Sequence, residues 1–148
     1  MKELLQNLKK VIFNVFQDMF FIFPEDGEEI DPDRDICYKK VAISIQKSGE
    51  TTYLFQLYFT ENQGRMMTEN YLGQTEEITD NLIEETLKEA ANVIGGNFLN
   101  LFQQGYSLGI PELMSCQVID RISNMYHSET GLLLEMEGEP FLLMVKVN

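Results

Sequence analysis

Leu82–Gln103 reads LIEETLKEAANVIGGNFLNLFQ, and its apolar residues recur at three and four rather than at two. Turned at about 100° per residue, Ile83, Leu87, Ala90, Ala91, Ile94, Phe98, Leu101 and Phe102 gather on one side. Glu85, Glu89, Asn92, Gly96 and Gln103 fall almost opposite. A stripe of this kind marks a helix lying on a core. Thr75 or Thr79 can cap it, so the predicted helix spans about Glu76–Gln103.

Outward from this helix, the flanks supply the sheet it needs. Residues 36–47 (ICYKKVAISIQK) alternate as a strand, and Ser48-Gly49-Glu50 supplies a turn. Thr51–Thr60 (TTYLFQLYFT) is rich in β-branched and aromatic residues, so the two strands predict a hairpin. Thr60 followed by Gln63 three residues later is a capping box, predicting a short helix to about Leu72 that stops at Gly73. Upstream, Leu4, Leu8, Val11, Val15 and Met19 predict an amphipathic helix over 3–21 that Pro24 ends. Downstream, Gly105, Gly109 and Pro111 interrupt the chain. Strands are expected at about 113–120, 131–137 and 140–147, the last two joined through Glu137-Gly138-Glu139. The order predicts one α+β domain over 1–148, its antiparallel or mixed β-sheet packed against the long helix and the N-terminal helix.

Across the 148 residues, 24 Asp and Glu against 11 Lys and Arg give a net charge of −13. Without a cationic cluster, nucleic acid and anionic membranes are disfavoured partners. Glu25–Asp35 carries seven acids and one Arg, and Glu76–Glu89 six acids and one Lys, so these two stretches account for −11 of the total. The first reads as a solvated loop. Val11–Phe23 is apolar but broken by Asn14, Gln17 and Asp18, which predicts a soluble helix rather than a leader or a span. Cys37 and Cys116 fit two reduced thiols in a cytoplasmic protein. Asp31, Asp33 and Asp35 begin a calcium-loop spacing, but Ile36 and Ala42 stand where that loop needs Gly and Glu. His127 has no nucleophile placed beside it, and no metal-ligand cluster is visible.

The polar ridge of the long helix holds two unusual choices. Asn92 and the pair Gly95-Gly96 are poor helix formers, each glycine costing about 1 kcal/mol against Ala. Either the ridge is a solvated face whose glycines admit a neighbouring element, or Gly96 lets another surface reach the backbone one turn beyond Asn92.

Glu85–Gly96 (ETLKEAANVIGG) resembles the phosphatase motif of the CheC/CheX/FliY chemotaxis proteins, in which a Glu, two spacers and an Asn sit on a long exposed helix. Phe59–Gln74 (FTENQGRMMTENYLGQ) is similar to the strand-to-helix passage before that motif, and the order of elements matches over nearly the whole chain. One motif copy is present, as in CheX. Glu85 stands where the family often has Asp or Ser, and Pro111 comes earlier than the family's downstream proline. The resemblance implies a CheC/CheX-like fold and hydrolysis of the phosphoaspartate of a CheY-like receiver domain. Asn92 would orient the attacking water and Glu89 would pair with a lysine of the partner, with Glu85 and Gly96 in the partner-binding surface. No cofactor of its own is implied, since Mg²⁺ belongs to the receiver. A homodimer through sheet edges is also implied. The alternative is a non-catalytic relative that keeps the fold for binding or dimerisation.

Overall fold

The computed structural model describes residues 1–27, 37–73, 77–118 and 130–148. The first helix, α1 (Lys2–Phe20), buries Leu8, Val11, Ile12, Val15, Phe16 and Phe20 along one stripe. It ends as Phe21 turns left-handed (φ 54°, ψ 34°), and the Phe21 and Ile22 N–H groups both donate to the Phe16 carbonyl. The next two-residue strand, β1 (Glu25–Asp26), corrects the loop expected over Glu25–Asp35. Both of its side chains are exposed, so no alternation of hydrophobicity announced it. Its pairing is made by backbone, and an ion pair from Lys9 to Asp26 ties it to α1. The calcium-like Asp31, Asp33 and Asp35 lie outside the described residues, as does His127.

The expected hairpin forms from β2 (Cys37–Lys47) and β3 (Glu50–Thr60), paired antiparallel with Val41 opposite Leu57 and Ile43 opposite Phe55. Thr60 then caps α2 (Glu61–Leu72) with a complete capping box, and Gly73 in the left-handed region (φ 65°) ends it. Gln63 does more than cap. Its Nε2 donates to the carbonyls of Met136, Glu139 and Pro140 at 3.3, 3.0 and 3.2 Å, fastening the start of α2 to the distant closing turn.

The long helix, α3 (Asp80–Phe102), is followed by β4 (Ser107–Leu108), β5 (Glu112–Val118), β6 (Gly131–Met136) and β7 (Glu139–Val147). The strand order is β1-β6-β7-β3-β2-β4, with β5 also on β2, and every described pairing is antiparallel. β4 is the second strand missing from the expectation. Two residues long, it is set by its pairing with Ile45 and Gln46 of β2 rather than by a pattern of its own.

Alternation along the strands sends Val41, Ile43, Ile45, Phe55, Leu57, Phe59, Phe141, Leu143 and Val145 to one face, where they form a single core with the three helices. Rings of Phe16, Phe59 and Phe141 meet there at centroid distances of 5.0–6.3 Å. The opposite face is also buried at Tyr58, Gln56 and Leu142, and it holds Lys40, whose residue is 8% exposed. The Lys40 ammonium lies 5.6 Å from the Tyr58 ring centre. Burial, and secondarily the charge of Lys146, holds Lys40 below the usual lysine range, while burial pushes the Tyr58 hydroxyl up.

Candidate functional site on the long helix

Thr79 starts α3, accepting from the Leu82 N–H at 3.2 Å, so the cap is the second of the two threonines considered. The helix therefore begins at Asp80 rather than Glu76. Ile83, Leu87, Ala90, Ala91, Ile94 and Phe98 enter the core as the wheel requires. Leu101 and Phe102 do not, being 64% and 36% exposed. The last turn instead lines a shallow hollow with Met1, Leu4 and Tyr53, and Leu99 is buried in its place.

The opposite ridge stands in solvent. Glu85, Glu89 and Asn92 are exposed, and Gly96 is half-buried. Glu85 is engaged by Lys88 at 3.5 Å, an exposed pair one turn apart that contributes a few tenths of a kcal/mol at most and exchanges readily. Glu89 and Asn92 make no side-chain hydrogen bond or ion pair among the described residues. A carboxylate and a carboxamide thus project from the same ridge, one turn apart, with their hydrogen-bonding capacity unused by any described residue. Nothing in that geometry binds a substrate alone; it suits a polar group presented by another surface.

The two glycines separate into different tasks. A Cβ at Gly95 would lie 2.7 Å from Cδ2 of Leu108, so Gly95 admits β4 onto the helix. At Gly96 the nearest atom to a Cβ would be 3.9 Å away, which leaves that backbone open on the ridge side. The close approach of an internal element and the open patch therefore belong to neighbouring residues. Beside the ridge runs an open groove lined by Lys39, Glu84, Lys88, Pro111, Leu113 and Met114, between α3 and the start of β5. The sequence pattern gave no signal for this groove because it depends on which strand lies beside the helix.

The family described as chemotaxis phosphatase CheX matches residues 41–121, more than half the chain and including the whole ridge. The chain belongs to the CheX family. Solved structures agree at the level of fold. CheX from Desulfovibrio desulfuricans is similar with a TM-score of 0.70 at 14% identity, covering 99% of each chain. CheX from Vibrio vulnificus gives 0.69 at 10% identity, again with 99% of each chain covered. A CheX in complex with CheY, BeF3 and Mg²⁺ from Borrelia burgdorferi gives 0.66 at 12% identity, covering 97% of each chain. No curated protein sequence matches at a significant level. Among the described residues, no helix of this CheX-family chain is long and apolar enough to cross a membrane.

Proposed function

We propose that this chain accelerates hydrolysis of the phosphoaspartate of a CheY-like receiver domain, working in the cytoplasm on a partner that carries its own Mg²⁺. The observation that carries the reading is the pair Glu89 and Asn92, without side-chain partners among the described residues, one turn apart on the exposed ridge of α3, in a chain of the CheX family. A CheX of similar fold is found in complex with CheY, which supports a receiver as the partner.

Phosphoryl transfer depends on positioning and on charge stabilisation. The receiver's metal supplies the charge, so the phosphatase needs only to place a water. Asn92 can accept from and donate to that water, holding it in line with the phosphorus. The water oxygen bonds to phosphorus as the bond to the aspartate oxygen breaks, releasing inorganic phosphate and a free carboxylate. A carboxylate in place of Asn92 would meet the phosphoryl dianion with like charge. Glu89 fixes the register by pairing with a lysine of the partner, with Glu85 and the open backbone at Gly96 completing the contact surface. The same reading includes a homodimer through sheet edges.

The test follows phosphate release from a Mg²⁺-loaded phosphorylated receiver with the parent chain and with Asn92→Ala. The parent should accelerate release, and the variant should return it to the receiver's own rate while melting at or slightly above the parent temperature, since Ala suits an exposed helix better. Binding without acceleration would leave the non-catalytic module as the correct reading.

A further inference from the structure

We infer that Ile110 is the apolar anchor on which the receiver domain seats beside the α3 ridge; this rests on the proposed function and deepens it. Leu108 stands opposite Ile45, and Glu112 stands opposite Ala42. Gly109, Ile110 and Pro111 therefore face only Ile43 and Ser44 on β2, one residue too many, which is a β-bulge in the edge strand. Gly109 cannot carry the excess outward. Its N–H donates to the Ser44 carbonyl at 2.8 Å, and a Cβ there would lie 2.0 Å from the Ser44 Oγ. The slack is taken up at Ile110, which is 86% exposed, the largest value among the large apolar side chains of the described residues.

The neighbours of the bulge locate it. Leu108, two residues before Ile110, packs against Gly95, and Pro111, one residue after it, shares the groove with Glu84 and Lys88. Ile110 thus lies alongside the stretch of α3 between those contacts, which carries Glu89 and Asn92. A single exposed aliphatic side chain is ordinary on a protein surface. Here the break in regular pairing leaves one exposed on the segment that runs past the α3 ridge of Glu85, Glu89, Asn92 and Gly96. Exposed polar contacts give register and specificity but little affinity, which in an interface comes from a few desolvated anchors. The receiver is the occupant because a CheX of similar fold is found in complex with CheY, and the inference requires that receiver to present an apolar patch next to the group that meets Glu89.

Ile110→Asp, Ile110→Leu and Phe23→Asp test this. Phe23 is also largely exposed, at 67%, but is not among the residues placed at the ridge. Binding is measured by calorimetry to a receiver loaded with Mg²⁺ and beryllofluoride, and phosphate release by steady-state kinetics. Ile110→Asp should raise Kd and KM by tenfold or more, with turnover at saturating receiver within twofold of the parent. Ile110→Leu and Phe23→Asp should bind as the parent does. Parent-like binding by Ile110→Asp would overturn the inference while leaving the phosphatase reading intact. Tight parental binding that needs Ile110 but brings no hydrolysis would sustain the anchor and remove the activity. Loss of self-association in Ile110→Asp, with receiver binding unchanged, would assign the anchor to a second copy and overturn the inference. Failure of the parent to bind any receiver would overturn both.

Discussion

Glu89 and Lys40 show how environment assigns different roles to charged residues. Glu89 is exposed and unpaired among the described residues, so removing it leaves no buried group unsatisfied. Glu89→Ala should leave the unfolding free energy within about 0.5 kcal/mol of the parent while weakening receiver binding, measured by the same titration used for Ile110. Lys40 sits on the buried second face of the sheet, with its pKa lowered chiefly by burial. Between its folded pKa and the ordinary value of 10.5, the unfolded chain holds more protons on this amine than the folded one. Stability contributed by this group therefore rises with pH across that window. Burial disfavours the charged amine, so an apolar side chain of similar length at this position removes a desolvation cost. Lys40→Met should melt above the parent at pH 7, and the gap should narrow as pH approaches 10 in thermal melts. A lower melting temperature at pH 7 would mean that the contact of Lys40 with the Tyr58 ring outweighs desolvation.

At the scale of the element, α3 holds both a packing glycine and an open one. Gly96→Ala should stabilise the fold by about 1 kcal/mol, because helix propensity improves and no described atom beyond the surrounding helix turn lies closer than 3.9 Å to the new Cβ. The same methyl stands on the proposed docking ridge, so receiver binding should weaken as stability rises. Gly95→Ala should gain little or lose stability, because Leu108 must move from 2.7 Å. Equal melting shifts for the two variants would contradict the division of roles. The contrast explains what the sequence could reveal. The ridge of Glu85, Glu89, Asn92 and Gly96 was legible because one helical period places it whatever surrounds the helix. The hairpin, the capping box at Thr60 and Gln63, and the closing strands were legible for similar local reasons. β1 and β4 were not, since two paired residues carry no period and their partners, Glu135 with Leu134 and Ile45 with Gln46, are distant in sequence. The bulge at Ile110 was hidden for the same reason, being a mismatch between two strands.

For the whole molecule, the sheet has two ends. On one side β1 contributes two residues, and on the other β4 and β5 share β2 with register breaks at 109–111 and again between Tyr38 and Lys40. Breaks of this kind restrain open-ended strand addition, and they favour a closed pair over a fibre if two copies associate. Light scattering across a hundredfold range of concentration should show a mass of twice 17.1 kDa with no larger species. A constant mass of 17.1 kDa would remove the homodimer.

The place of β7 between β3 and β6 carries a cost during synthesis. Thr51–Thr60 is an apolar strand whose partner, residues 139–147, is translated last among the described strands. At cellular elongation rates, on the order of ten seconds pass between the two. During that interval TTYLFQLYFT has β2 on one side and an unpaired edge on the other, the kind of surface that recruits a second nascent chain. The molecule should therefore be more dependent on chaperones while on the ribosome than its finished, covered sheet suggests, and a late pause in translation should raise aggregation more than an early one.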